Sequence, residues 1–250
     1  MVLKACLNGA RTKQDHPRCP VTPAELAVDA AAVVAAGAEA LHIHPRDAGG
    51  RESVSPSAVA ATLDAIRAVV DVPVGITTGA WVVADLDALH DAIRSWTVLP
   101  DFASVNIHET AAIATAELLL DRGVGVEAGV WSATAGTILV RSGLADRCLR
   151  ILAEPMEQTV ESALVNVGEI EAALANVAPE VPTLLHGMEE VAWQLVPVAI
   201  QRGYDIRVGF EDCLTLPGGQ LAPDNAAMVR AAVALLADAS SSNHDTPTSV

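Results

Sequence analysis

Ala40-Leu41-His42-Ile43-His44, closed by Pro45-Arg46-Asp47, is a short apolar run carrying two histidines one residue apart. On an extended strand successive side chains alternate between faces, so His42 and His44 share one face and Ile43 takes the other. Proline cannot continue the ladder, so the strand ends beside them. Two imidazoles aimed at one spot can hold two corners of a metal site. The competing reading is a pair of ordinary, partly buried histidines, and the rest of the chain has to decide.

Outward from this strand, apolar runs alternate with helical patterns. Residues 2–7 read as a first strand closed by Asn8-Gly9. Thr22-Pro23-Ala24-Glu25 has the form of a capping box with proline at the first helical position. Leu26, Ala30 and Val33 continue that helix and Gly37 stops it. Ser55-Pro56 opens the next, through about Val70. Further strands are expected at 74–77, 102–106, 124–127, 149–154, 181–186 and 206–211. The helices between and after them fall at 86–96, 110–122, 134–142, 159–177, from strand seven through Gln201, and 223–238. Eight strand-then-helix units in about 250 residues, with near-continuous apolar strands, specify a (β/α)8 TIM barrel. A doubly wound sheet is the alternative, but no GxGxxG turn follows strand one. The expected organisation is one barrel domain over 1–238 and a polar, disordered tail over 239–250.

Composition narrows the class. The chain is 51% hydrophobic but 3% aromatic, so its core must be built from Ala, Val, Leu and Ile. A net charge of −16 argues against nucleic acid or an anionic membrane as partner. Lys4, Arg11, Lys13, Arg18, Arg46 and Arg51 nevertheless crowd the first 51 residues, which allows one local positive patch. Cys6, Cys19, Cys148 and Cys213 form no CxxC pair, which fits reduced thiols. With no secretory pattern and no long apolar run, a soluble cytoplasmic protein is expected.

In such barrels chemistry sits at the carboxyl ends of the strands. Those ends read Asn8 to Arg11, His42 and His44, Thr77 and Thr78, Asn106 to Glu109, Glu127, Glu154, His186, and Glu211 with Asp212. A catalytic zinc needs a third protein ligand and an open position. Glu211 is the favoured third ligand, with His186 and Glu127 as competitors; acids here also serve as helix caps. Two adjacent carboxylates can divide labour, one on the metal and one as base. Lys4 and Lys13 are the only lysines, and Lys4 begins strand one at the far end of the barrel. A Schiff-base aldolase is therefore disfavoured, and carbon–carbon chemistry would rest on a metal. Metal-dependent amidohydrolases also use a His-x-His pair, but on the first strand and with more histidines on the middle ones. A metal-dependent hydrolase is the second reading, and a non-catalytic small-molecule-binding barrel the third.

Several motifs go further when taken together. They are Asn8-Gly9-Ala10, Pro20-Val21-Thr22-Pro23-Ala24-Glu25-Leu26, Ala36-Gly37-Ala38, His42-Ile43-His44-Pro45-Arg46-Asp47 and Thr77-Thr78-Gly79. Ala103-Ser104-Val105-Asn106, Arg207-Val208-Gly209-Phe210-Glu211-Asp212 and Leu221-Ala222-Pro223-Asp224-Asn225 follow. In this order and spacing, up to about residue 238, the chain resembles the β-keto acid cleavage enzymes, which include 3-keto-5-aminohexanoate cleavage enzyme. The resemblance implies a zinc-dependent, homo-oligomeric barrel, a dimer or tetramer. It would be an acyltransferase that condenses a β-keto acid with acetyl-CoA and releases acetoacetate and a new acyl-CoA. It also implies that His42, His44 and Glu211 bind zinc and that Asp212 is the base. Arg207 would hold Asp212 and keep it ionised. With strand eight read through Glu211, alternation puts Arg207 and Glu211 on one side. Thr77 stands where the family has Ser in a Ser-Thr-Gly motif and would donate to an oxyanion, with Thr78, Asn106 and Glu109 near the substrate.

Three departures bear on specificity. Arg11 replaces the Glu carried by members acting on amino-substituted keto acids, so it is expected to face an anionic or neutral polar tail. His108-Glu109 replaces a small Gly-Ser, so either side chain is a candidate for the pocket or the metal. The chain is also shorter than many relatives, which implies trimmed loops around CoA.

Overall fold

Helix starts are fixed locally. Thr22, Ser55, Asp85, Ser132 and Thr159 each accept from the backbone amide three residues on, satisfying a first-turn donor. At Thr22 the capping box is complete, with Glu25 reaching back to the cap. The computed structural model describes residues 1–83, 85–177 and 180–242. Its strands are β1 (Leu3–Cys6), β2 (Ala40–Ile43), β3 (Val74–Thr77), β4 (Phe102–Asn106), β5 (Gly125–Val130), β6 (Arg150–Ala153), β7 (Thr183–Leu185) and β8 (Asp205–Val208). The helices are α1 (Pro23–Ala35), α2 (Pro56–Arg67), α3 (Leu86–Ser95), α4 (Ala112–Asp121), α5 (Ala133–Ser142), α6 (Val160–Ala173), α7 (Ala192–Arg202) and α8 (Asn225–Ser242). Every strand pairs in parallel with its neighbours and β8 returns to β1, closing the barrel. This is the expected TIM barrel.

Alternation divides each strand between two environments. Ala5, Leu41, Ile76, Val126 and Ile206 join Leu26, Val33, Leu63, Ile66, Leu119 and Ile170 of the helices in one buried apolar shell. The interior is different, because its lower layer is ionic. The Lys4 ammonium meets one oxygen of Glu127, and Arg150 donates to the other at 2.6 Å. Arg150 also donates through Nε to Asp205 at 2.8 Å. Phe102 lies under Lys4, its ring centroid 5.6 Å away, and fills the space opened by Gly75. Burying four charges is tolerable because each has a partner.

That layer corrects two expectations. Glu127 does not end its strand at the mouth: β5 runs on to Val130, and Glu127 is paired deep inside. Lys4 lies within the barrel interior, wholly buried, but it does not line the cavity described below. A polar residue inside an apolar run reads as a strand end, unless another strand supplies its counter-charge.

Other boundaries also move, among them the ends of α2 at Arg67 and of β7 at Thr183 and Leu185. Strand eight stops at Val208 rather than continuing to Glu211, because Gly209 turns the chain with a φ of 156°. A Cβ at Gly209 would stand 2.0 Å from the Cys6 carbonyl oxygen, so only glycine allows this approach. The sixth helix ends at Ala173, short of residue 177. The last helix continues to Ser242, so the polar tail does not begin at residue 239. There Ser240 and Ser241 bond back to carbonyls four residues earlier, keeping their hydroxyls satisfied in the helix. The rest of the expected tail lies outside the described residues. The four cysteines are free and buried. No helix among the described residues is long and apolar enough to cross a membrane.

Candidate active site

The turn after β8 delivers two carboxylates in different directions. It is anchored where Asn225 accepts from the Phe210 amide at 2.7 Å and donates to the Leu7 carbonyl at 2.8 Å. The Glu211 amide bonds the Cys6 carbonyl at 3.3 Å. Its side chain then crosses Gly9, where a Cβ would lie 2.5 Å from Glu211 Cγ and where φ is +53°. Beside it, Asn8 clamps the backbone of His44 through two bonds of 2.9 Å.

His42, His44 and Glu211 converge, their ligand atoms all within 4.8 Å of one another. His42 Nε2 is 3.6 Å from Glu211 Oε2, and His44 Nε2 is 3.6 Å from Glu211 Oε1. Tetrahedral bonds of zinc length would set such donors about 3.3 Å apart. His44 Nε2 and Glu211 Oε2 are buried without any hydrogen-bond partner. His44 donates its other nitrogen, Nδ1, to Glu52, the carboxylate support that orients metal-ligating histidines. Orphaned donor atoms, matching spacing and an outer carboxylate together fit a metal ion.

The electrostatics favour a metal at His42 and Glu211, whereas His44 favours its proton, which an ion would have to displace. Burial pulls His42 down to about 3, which keeps it in the neutral form that binds metal. His44 is raised: burial pulls it down, but Glu211 and Glu52 outweigh that. Glu211 is held well below the usual carboxylate range, because Arg207 and the two histidines overcome its burial.

Asp212 faces the other way. Arg207 donates Nε to Asp212 Oδ2 at 3.1 Å, and its Nη2 reaches both Asp212 Oδ1 and Glu211 Oε1. Arg207 and Glu211 thus do share a side, through the Gly209 turn and not through strand alternation. Burial pushes the Asp212 carboxyl up, outweighing the Arg207 charge that was expected to lower it. Behind them His186 is buried, 3.7 Å from Asp212 and 3.4 Å from Glu154.

A cavity of about 300 Å³ opens on the trio. Of the expected residues, Arg11, His42, His44, Thr77, Asn106, Arg207 and Glu211 line it, as does Glu154. Thr77 accepts from the Gly79 amide at 3.1 Å, which leaves its own proton to donate. Thr78, Glu109 and Asp212 are not on the wall. The Thr78 hydroxyl donates to the Ser104 carbonyl. Glu109 accepts from Asn106 Nδ2 at 2.8 Å and from the Ala80 amide at 2.9 Å, so it orients Asn106 from behind. His108 is exposed and packs on Trp131, with ring centroids 4.1 Å apart. A larger hollow of about 440 Å³, lined by Lys13, Arg18, Asp29 and Asp224, lies outside the barrel mouth and contains none of the trio.

The family of beta-keto acid cleavage enzymes matches residues 1–139 and 155–245 of this sequence. The chain belongs to that family. It is 25% identical over 255 residues to 3-keto-5-aminohexanoate cleavage enzyme of Fusobacterium nucleatum subsp. nucleatum, covering 94% of this chain and 90% of the relative. Among solved structures, a ternary complex of ObcA with a C4-CoA adduct and oxalate superposes with a TM-score of 0.67 at 16% identity. The match covers 89% of this chain and 64% of ObcA, so this family member spans under two thirds of that protein. A 3-dehydroquinate dehydratase from Geobacillus kaustophilus HTA426 has a TM-score of 0.59 at 14% identity, over 93% of this chain and 91% of its own. At such identities these two matches show the barrel fold alone.

The residues not foreseen sit in the connections between strands and helices, where no periodic pattern fixes which side chains meet. Glu52 becomes visible only when the loop after β2 folds back, where Arg46 and Glu52 form an isolated bridge. Trp81, Trp131, Met156, Met188 and Glu189 reach the cavity from loops and carry no sequence signal of their own.

Proposed function

We propose that this family member is a zinc-dependent enzyme that converts a β-keto acid and acetyl-CoA to acetoacetate and a new acyl-CoA. The observation that carries this reading is the His42–His44–Glu211 trio facing the cavity, with Arg207 joining Glu211 to Asp212. A zinc ion held by the trio would polarise the keto and carboxylate oxygens of the substrate.

The residues divide the remaining work. Asp212 takes a proton from the carbon between the two carbonyls; its raised carboxyl makes it a stronger base than an ordinary aspartate. The resulting carbanion attacks the thioester carbon, and the CoA thiolate leaves. The thiolate then adds to the original keto carbon, whose bond to the central carbon breaks. That carbon recovers the proton from Asp212, leaving acetoacetate and the acyl-CoA. Thr77 donates to the oxygen that becomes negative at a carbonyl under attack. Asn106, oriented by Glu109, binds substrate, and Arg11 faces its tail. ObcA, a barrel of this fold, is described in complex with a CoA adduct, which is compatible with a CoA thioester as co-substrate.

A second assignment of the base has its own support, because Glu154 lines the cavity and Asp212 does not. Burial raises Glu154, yet His186 and Arg207 leave it lowered and ionised. Acetoacetate formation should require acetyl-CoA and zinc. Asp212→Asn should keep zinc and lose turnover by about 10²-fold or more, whereas Glu154→Gln should keep most of it. The reverse pattern would move the base to Glu154. Turnover of keto acids without acetyl-CoA would favour a hydrolase.

A further inference from the structure

Arg11 and Glu189, both on the cavity wall, form an ion pair from Nη2 to Oε1 at 2.5 Å. We propose that Glu189 is an internal stand-in for the substrate tail, and that this enzyme is selective for β-keto acids bearing a second carboxylate, which displace it. The inference rests on the reading that Arg11 faces the tail.

The two partners are unequal. The Arg11 side chain is 17% exposed and that of Glu189 is 52% exposed. Arg11 is fixed from below: its amide bonds the Asn8 carbonyl at 3.1 Å, and its carbonyl accepts from Arg46 Nη2 at 3.0 Å. Arg46 belongs to the same segment as the two histidines, so the backbone of Arg11 is held in register with them. Glu189 is anchored only through its backbone, whose amide bonds the Asp212 carbonyl at 2.7 Å. Its carboxylate is half exposed and can swing into solvent, whereas the Arg11 side chain is mostly enclosed by the cavity wall.

Arg11 also carries an unused donor. Its Nε is buried with no hydrogen-bond partner, while Glu189 is held through Nη2. A guanidinium binds a carboxylate best through two parallel bonds, and a buried donor left unmade is costly. A substrate carboxylate that bridges Nε and Nη2 satisfies both, which Glu189 does not do. Releasing a half-exposed Glu189 costs little, because such pairs are weak in water. A tail without a second carboxylate leaves the pair closed.

The test is calorimetric titration of zinc-loaded protein with succinate, glutarate and adipate, each against butyrate, pentanoate or hexanoate of the same carbon number. The dicarboxylate of at least one pair should bind more tightly than its partner. Glu189→Gln and Glu189→Ala should tighten that dicarboxylate about two- to fivefold, the range an ion pair of this kind is worth, and leave the monocarboxylate unchanged. Glu190→Gln removes the same charge one residue away and should change neither. Arg11→Gln should abolish the dicarboxylate preference. The inference is overturned if no dicarboxylate is preferred, if the Glu189 variants do not tighten it, or if they tighten both acids equally. It is also overturned if Glu190→Gln matches them. Binding is read without turnover, so a failure to form acetoacetate counts against the proposed reaction and not against this selectivity.

Discussion

Glu127→Ala is the most revealing single change in the barrel. It removes the anion shared by Lys4 and Arg150, side chains that lie in the interior away from water. Arg150 keeps Asp205 at 2.8 Å, but Lys4 keeps only the face of Phe102. Breaking a buried pair from one side costs about 3–5 kcal/mol, because a buried charge is left uncompensated. For a domain of this size each kcal/mol lowers the midpoint by about 2–4 °C, so Tm should fall by about 6–20 °C. Differential scanning calorimetry on wild type and variant, both saturated with zinc, measures the loss. Replacing both partners as Lys4→Met with Glu127→Leu removes the two charges together and should recover most of it. A single variant within about 2 °C of wild type, or a double variant as unstable as the single, would refute the claim that the interior is held by mutual compensation.

Three further changes probe the site and its surroundings. Glu52→Ala removes the carboxylate behind His44 and should weaken zinc binding by about 10–100-fold in a chelator competition, with folding intact. Gly9→Ala places a methyl 2.5 Å from Glu211 Cγ at a left-handed φ, so it should cost zinc affinity well before it costs helical circular dichroism. Normal zinc binding in that variant would show that Glu211 can bind from another position. Asp29 is pushed up to about 6, chiefly by burial, from an ordinary value of 3.8. A raised carboxyl favours folding at low pH and loses that contribution as pH rises from about 4 through 6. Asp29→Asn stays neutral and still offers an acceptor to Asn225. Its stability should match wild type near pH 4 and exceed it by up to about 3 kcal/mol above pH 7. Parallel urea midpoints across that range would contradict this.

The alternation of strands and helices was legible because each outward strand face and each inner helix face is built from the same few aliphatic residues. Capping side chains such as Thr22 and Ser55 placed the helix starts closely. Two of the strand ends moved for separate reasons. Glu127 looked like the end of a strand because its counter-charges, Lys4 and Arg150, come from other strands. Strand eight looked longer than it is because Arg207, Glu211 and Asp212 are all functional in type, and the contact that makes Gly209 turn is with Cys6. The convergence of the candidate metal trio could be read because two of its members lie one residue apart and the third follows the last strand. Its support could not: Glu52 and the Arg11–Glu189 pair depend on how loops meet in space. Nor does a motif reveal depth, which is why Thr78, Glu109 and Asp212 sit behind the wall and not on it.

The strand between the candidate metal ligands would give an occupied site a mechanical role. The strands β2 and β8 both flank β1, the seam where the first and last parts of the chain meet. An ion bound by His42, His44 and Glu211 would bridge that seam, and so cross-link residues at opposite ends of the sequence. Closing so long a loop is among the slow, costly steps of folding a barrel, and a bond across it holds what the strand ladder alone must otherwise keep shut. Amides of β1 and β8 should therefore exchange with solvent faster without the ion than with it, while those of β4 and β5, on the far wall, are little affected. With the ion bound, the same three side chains would also serve as the clasp of the cylinder.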